Sequence, residues 1–335
     1  MQIINLTIDL REVNENTVPR IGKFLSLFSS TYQLIYVTYL TDDIDKLDSK
    51  LLKDLFQVEK QIGDFDTAFI FDTFKVNASR LSKKWISYFN KKEIPLLITL
   101  DQDIDLKAIK VNKTILIKAN EEDDLSSLYE KYRSYRCPIT FVPNNNNQAT
   151  LMSSKGMDAQ YINLFDKWIN DKDGVTVENL HPLIDACLGG SYRECFNDSC
   201  IGKRFYLDSN GDIFTCEKEC LNKYNYGNID NLKSLEEVYD SDSFGELLEG
   251  NIIRRKHCNS CLEFKKCQGG CSSEALLEDN NIETINKVYC VNFINVCKHI
   301  KDELERLEKE RTSLKELNPS FKHILINSLK VDIRL

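Results

Sequence analysis

The chain has 335 residues, 42% of them hydrophobic, enough for two domains or one large one. Its net charge of −8 and pI near 5.3 argue against nucleic acid as the main partner. No apolar run approaches the ~18 residues of a membrane span, and the opening MQIINLTIDLREV has no basic stretch followed by a long apolar one. The expectation is a cytoplasmic protein, in a reducing compartment where clustered cysteines are more often metal ligands than disulfides.

Residues 1–143 alternate strand and helix. Ile3 to Leu10 is a first apolar run. Thr17 reads as an N-cap, with Pro19 in the first turn of a helix carrying Ile21, Leu25 and Phe28 on one face. Leu34 to Leu40 is a second strand, followed by Leu47, Leu51, Leu55, Val58 and Ile62 at helical spacing. Thr67 to Phe71 is a third strand, and Leu81, Trp85 and Phe89 mark the next helix. Pro95 to Leu100, Thr114 to Ile117 and Ile139 to Val142 are strands four to six; Leu125, Leu128, Tyr129 and Tyr132 mark a helix before the last. Strands separated by helices predict right-handed crossovers and a parallel sheet, open or closing toward a barrel, with its pocket at the C-terminal strand ends. The loops there, Thr41–Asp45, Asp101–Asp105 and Glu121–Asp124, form an acidic rim: a solvated surface, or a mouth for a basic partner.

Met157, Tyr161, Leu164, Phe165, Trp168 and Ile169 form one face of a further helix, ended by an Asp171–Gly174 turn. From 187 regular structure is expected to thin. Phe205 to Leu207, a turn at Asp208–Gly211 and Ile213 to Thr215 read as a hairpin. Asp208, Asn210, Asp212 and Glu219 sit at calcium-loop positions, but Ile213 stands where that loop needs glycine, so the hairpin turn is preferred. Phe293, Cys297, Ile300, Leu304 and Leu307 define an amphipathic helix that packs on the body or, through Lys301 to Lys315, pairs with another chain.

Eleven of the twelve cysteines fall between 187 and 297. Cys258, Cys261, Cys267 and Cys271 lie in fourteen positions, spaced x2, x5 and x3. Converging thiolates need a soft cation to offset their repulsion. Zinc favours paired x2 spacings across a longer gap, whereas iron–sulfur cubanes take one thiolate per iron and accept uneven spacing. Gly269 and Gly270 before Cys271 let the backbone approach something bulky. Spacing alone leaves both metals open, with iron–sulfur preferred.

Cys200-x10-Gly211-x4-Cys216, then Cys258-x2-Cys261-x5-Cys267-x3-Cys271, then Cys290, resembles the seven-cysteine signature of the SPASM domain. That is the C-terminal module of many radical-SAM peptide and sulfatase maturases. Tyr226–Ile229 and Gly269–Cys271 also look like that family, and the match covers roughly 187–297. The resemblance implies two auxiliary 4Fe–4S clusters. Cys200, Cys216 and Cys271 would ligate the first, with Cys195 or Cys220, and behind them Cys187, as fourth ligand. Cys258, Cys261, Cys267 and Cys290 would ligate the second. It also implies an α/β fold: a radical-SAM-type partial (β/α)6 barrel over 1–175, the SPASM iron–sulfur domain with a β-hairpin over 176–298, and a C-terminal amphipathic helix and tail over 299–335.

The chain departs from that family at its other end. Radical-SAM enzymes carry three cysteines at x3 and x2 after the first strand; here that loop is Arg11–Thr17, and no cysteine precedes Cys137. No Gly-Gly-Glu-like turn follows the second strand. The expectation is a degenerate radical-SAM domain for which S-adenosylmethionine is not expected. The chain then reads as a non-catalytic partner in peptide modification, docking a precursor peptide or a catalytic maturase. The alternatives are a peptide maturase in its own right and a zinc-stabilised interaction module.

Overall fold

The computed structural model describes residues 2–63, 68–145, 148–189, 200–310 and 316–329. In chain order the elements are β1 (Ile3–Asp9), α1 (Thr17–Ser29), β2 (Leu34–Leu40), α2 (Ser49–Gly63), β3 (Phe69–Asn77), α3 (Lys83–Lys92), β4 (Leu96–Thr99), β5 (Lys113–Ala119), α4 (Leu125–Tyr132), β6 (Ile139–Pro143) and α5 (Met157–Ile169). Then follow α6 (Leu180–Cys187), β7 (Arg204–Leu207), β8 (Ile213–Phe214), α7 (Leu235–Tyr239), α8 (Asp242–His257), α9 (Phe264–Cys267), α10 (Ser272–Asp279), α11 (Lys287–Lys309) and α12 (Pro319–Leu329). Two compact units result: Met1–Lys113 with Ser199–Gly250, and Thr114–Asp198 with Asn251–Leu335.

In the first unit the strands run in the order β4-β3-β2-β1-β7-β8. β1 to β4 and β7 pair in parallel, and β8 closes an antiparallel hairpin on β7. The helices bury apolar stripes on the sheet, as parallel connections require. Ile21, Phe24, Leu25 and Phe28 of α1 are buried, and Phe28 meets Phe205 of β7 at 4.9 Å between ring centroids. Thr17 is the first residue of α1 rather than its cap; its hydroxyl accepts the Asn14 N–H at 2.8 Å and fixes the entry loop. α2 turns Leu52, Leu55, Glu59 and Ile62 inward, leaving Leu51 and Val58 half-buried. β3 continues six residues beyond the expected Phe71, because Asp72 and Lys75 break the apolar run without breaking the ladder to β2.

Gly211 closes the hairpin turn. Its φ is +91°, and a Cβ there would meet Arg20 at 3.0 Å and Ile229 at 3.1 Å, so only glycine fits without strain.

In the second unit β5 and β6 pair in parallel. Trp168, Phe165 and Tyr161 of α5 are buried, and Phe321 of α12 sets its ring edge to both Phe165 and Trp168. Glu274 of α10 accepts the backbone N–H groups of Ala149 and Thr150 at 2.6 and 2.8 Å. Asn292 of α11 donates to the carbonyls of Met152 and Ser154 at 2.8 and 2.7 Å. The expected thinning of structure after 187 is corrected by α8 and α10, whose polar faces and weak periodicity hid them. The charged end of α11 is held within the helix by Arg306 pairing with Glu303 and Glu310.

Candidate metal centre

The second unit holds Cys258, Cys261, Cys267, Cys271 and Cys290, all as free thiols. Each is set by a short local structure. Cys258 follows α8, its N–H bonded to the Arg255 carbonyl at 3.0 Å, and its own carbonyl accepts from Cys261 at 2.9 Å. α9 ends at Cys267, whose carbonyl accepts the Gly270 N–H at 3.0 Å. Between Cys267 and Cys271 the chain runs through three successive left-handed residues, Gln268, Gly269 and Gly270. Glycine is needed there for a second reason: a Cβ on Gly269 would sit 3.3 Å from Arg255 and 3.8 Å from the Cys258 sulfur. Cys271 caps α10, with its sulfur 3.1 Å from the Ser273 hydroxyl. Cys290 lies in the first turn of α11, which opens on the side chain of Asn286 accepting the Tyr289 N–H at 2.7 Å.

Four of these thiols act on one another. Burial pushes the Cys258 thiol up, and Cys290 and Cys261 nearby add to it. Burial pushes the Cys267 thiol up to about 11, with Cys258, Cys290 and Cys261 contributing. Cys290 is raised by burial and then by Cys261. Sequence position scatters these residues over thirty-three positions, 258 to 290; the fold returns them to one neighbourhood. Among the described residues no three His, Cys, Asp or Glu side chains converge closely enough to hold a single metal ion.

Arg254, on the last turn of α8 and 1% exposed, organises this segment. Its guanidinium donates to the carbonyls of Gly269 at 3.1 Å and Ile282 at 2.6 Å, to the Ser272 hydroxyl at 3.1 Å and to Asn251 Oδ1 at 2.5 Å. Its charge also opposes the rise at Cys258. Sequence reading missed it, because an arginine in a basic helix end, Arg254–His257, looks like a solvated one.

Of the residues assigned by resemblance to a first set, Cys200, Cys216 and Cys220 belong to the first unit and Cys271 to the second. Cys195 lies outside the described residues. Cys200 precedes β7 and Cys216 follows β8; after burial, both help to raise the hydroxyl of the buried Tyr226. Cys220 sits in a single helical turn, Glu219–Leu221. Cys137 is 6% and Cys297 1% exposed, so both thiols are buried.

The end of β1 is filled by charge. Asp9 is 6% exposed and receives Arg11 Nε at 2.9 Å, Arg11 Nη2 at 2.6 Å, the Arg11 N–H at 2.9 Å and the Tyr206 hydroxyl at 2.7 Å. Burial alone would raise its carboxyl; the Arg11 and Tyr206 bonds hold it below the usual carboxylate range. Asp9, Leu40 and Lys75 lie in register across β1, β2 and β3. Burial depresses the Lys75 ammonium, a group the sequence reading left outside the strand. In the rim, Asp45 accepts the Trp85 indole at 2.5 Å, Asp101 the Ser79 N–H at 2.8 Å and Asp105 the Lys107 N–H at 3.0 Å, so two of these carboxylates tie distant segments together and the third holds a turn.

No family model matches the chain. Over 154 residues, 42% of this chain, it is 26% identical to the cysteine-type anaerobic sulfatase-maturating enzyme of Clostridium perfringens (strain 13 / Type A). That match spans 41% of the relative, well under half of its length. The enzyme of the same description from Clostridium novyi (strain NT) is 21% identical over 262 residues, 67% of this chain and 69% of that one. Among solved structures, hexahistidine-tagged anSMEcpe with bound AdoMet superposes with a TM-score of 0.73 at 15% identity, covering 92% of this chain and 96% of that one. Native anSMEcpe with bound AdoMet and Kp18Cys peptide gives 0.70 at 15% identity, over 92% and 99%. The mixed α/β fold with its parallel sheet is therefore that of the anSMEcpe structures.

Proposed function

We propose that this chain is an iron–sulfur protein of the radical-SAM maturase kind, acting in peptide or protein post-translational modification. What supports this reading is that the Cys258, Cys267 and Cys290 thiols, members with Cys261 of one four-cysteine set, are each raised by burial and then by neighbouring signature thiols. They fit a cubane. In a tetrahedral zinc site the sulfurs stand about 3.8 Å apart, from Zn–S bonds of ~2.3 Å. In a cubane each thiolate holds its own iron and the sulfurs stand further apart. The uneven x2 and x5 spacing of these cysteines supports the second arrangement. Each such cluster supplies a one-electron redox centre. In this reading residues 176–298 are the cluster-bearing SPASM module. The resemblance implies another ligand set, Cys200, Cys216 and Cys271 with Cys195 or Cys220.

The comparisons, taken alone, back a catalytic maturase better than a non-catalytic partner. The matched relatives are enzymes, and the solved neighbours hold AdoMet, against the expectation of none here. This chain's own residues argue the other way: no cysteine precedes Cys137, and the loop that would carry three of them begins with Arg11 locked onto Asp9. We therefore read the chain as a non-catalytic partner of a precursor peptide or a maturase, with a maturase in its own right as the second reading, favoured by the AdoMet-bound neighbours.

Anaerobic purification followed by iron, sulfide and zinc analysis and an assay for 5′-deoxyadenosine tests both. Two cubanes give about eight irons and eight sulfides per chain, and the non-catalytic reading adds no cleavage of S-adenosylmethionine. About twelve irons with cleavage, and modification of a peptide, establishes the maturase. Zinc without iron overturns the redox reading altogether.

A further inference from the structure

Cys187 and Cys297 stand outside the seven-cysteine signature, and both belong to the second unit. Cys187 is the last residue of α6 and Cys297 lies midway along α11, against which α6 packs. The Cys187 thiol donates to the Cys297 carbonyl at 3.7 Å. The neighbouring Cys187 thiol first, and burial second, raise the Cys297 thiol far above its ordinary range. Cys297 is 1% exposed and Cys187 is half-buried at a helix end, so only one of the pair is open to attack from solution.

We propose that Cys187 and Cys297 are a reversible dithiol–disulfide couple, oxidised by a small-molecule disulfide of the glutathione class. The Cys187 thiolate attacks one sulfur of the disulfide, forming a mixed disulfide and releasing one thiolate. Cys297 then attacks the Cys187 sulfur and expels the second thiolate. Two protein thiols and one disulfide become one protein disulfide and two small thiols, which take up both protein protons. No other electron acceptor is needed. The contact between α6 and α11 sets up this couple whether or not iron is bound.

The cross-link would act on the whole metal-binding segment. The chain between 187 and 297 contains every signature cysteine, from Cys200 to Cys290. Cys290 and Cys297 are seven residues apart on α11, two turns of one helix face. Closing the bond ties the end of α6 to that helix and restricts the loop that carries the ligands.

The test uses the anaerobically purified holoprotein, equilibrated with glutathione at graded ratios of disulfide to thiol, alkylated and digested. A 187–297 cross-linked peptide is expected, with loss of two alkylatable thiols per chain, recovery on adding dithiothreitol, and unchanged iron. Cys297→Ser should abolish the cross-link and keep the iron. Glutathione trapped on Cys187 with no cross-link at any ratio overturns the proposal. So does loss of iron in Cys187→Ser, which would make Cys187 a ligand. Mapping the unaltered protein keeps the test decisive if the variant does not fold.

Discussion

Two polar sites of this molecule are built on opposite principles. At the end of β1, Asp9 is surrounded by donors from its own chain, and its charge is met by Arg11 and Tyr206. Around Cys267, burial first and neighbouring thiols second raise Cys258, Cys267 and Cys290, and the nearby cation, Arg254, offsets only part of this at Cys258. The first arrangement is satisfied by the chain's own groups; the second would be relieved by a metal that replaces the protons. A buried polar group therefore points to a cofactor only when the protein has not already satisfied it.

The largest effect that would break this contrast is at the thiols. Cys267→Ala should lower iron from about eight to about four per chain, read by iron analysis and the loss of visible absorption; unchanged iron would remove Cys267 from the ligand set. Next is Arg254→Met, which strips donors from Gly269, Ile282 and Ser272 at once. A loss of ~3–5 kcal/mol in chemical denaturation is expected, with Arg254→Lys failing to restore it because an ammonium lacks the fork.

A third, smaller effect concerns Glu59, Asp72 and Tyr39, buried between α2 and the sheet, where the Tyr39 hydroxyl donates to Glu59. Burial, then Asp72, pushes Glu59 up to about 9, and burial pushes Asp72 up to about 6. Both are raised, so the stability they contribute is complete at acid pH and is lost as pH rises from the ordinary carboxylate range through about 6 and then about 9. Glu59→Gln should flatten the fall of melting temperature across that window; an unaltered slope would place the titration elsewhere. The smallest effect is Tyr206→Phe, which removes one donor from Asp9 but leaves Arg11. It should cost ~1 kcal/mol by denaturant titration and leave iron content alone.

Much of the frame was legible as periodicity. β2 lies where the apolar run Leu34 to Leu40 puts it, and α5 buries the six residues expected of it. The end of β3 was not legible, because Asp72 and Lys75 are polar residues held in a sheet by backbone bonds that no side-chain pattern reports. α8 was hidden for a related reason: it has almost no apolar stripe. The cysteine spacings pointed to metal chemistry, and resemblance assigned Cys258, Cys261, Cys267 and Cys290 to one set. Arg254 and the Cys187–Cys297 contact carry no spacing signal, since both depend on helices meeting far apart in sequence.

The Arg254 hub bears on how a change in one loop would spread. It fastens Asn251, Gly269, Ser272 and Ile282 with bonds the polypeptide supplies itself. One rigid guanidinium thus serves as a common anchor for stretches as much as twenty-eight residues from it in sequence. A shift at residue 282 should therefore be felt at the Gly269 turn, although nothing in the sequence links the two.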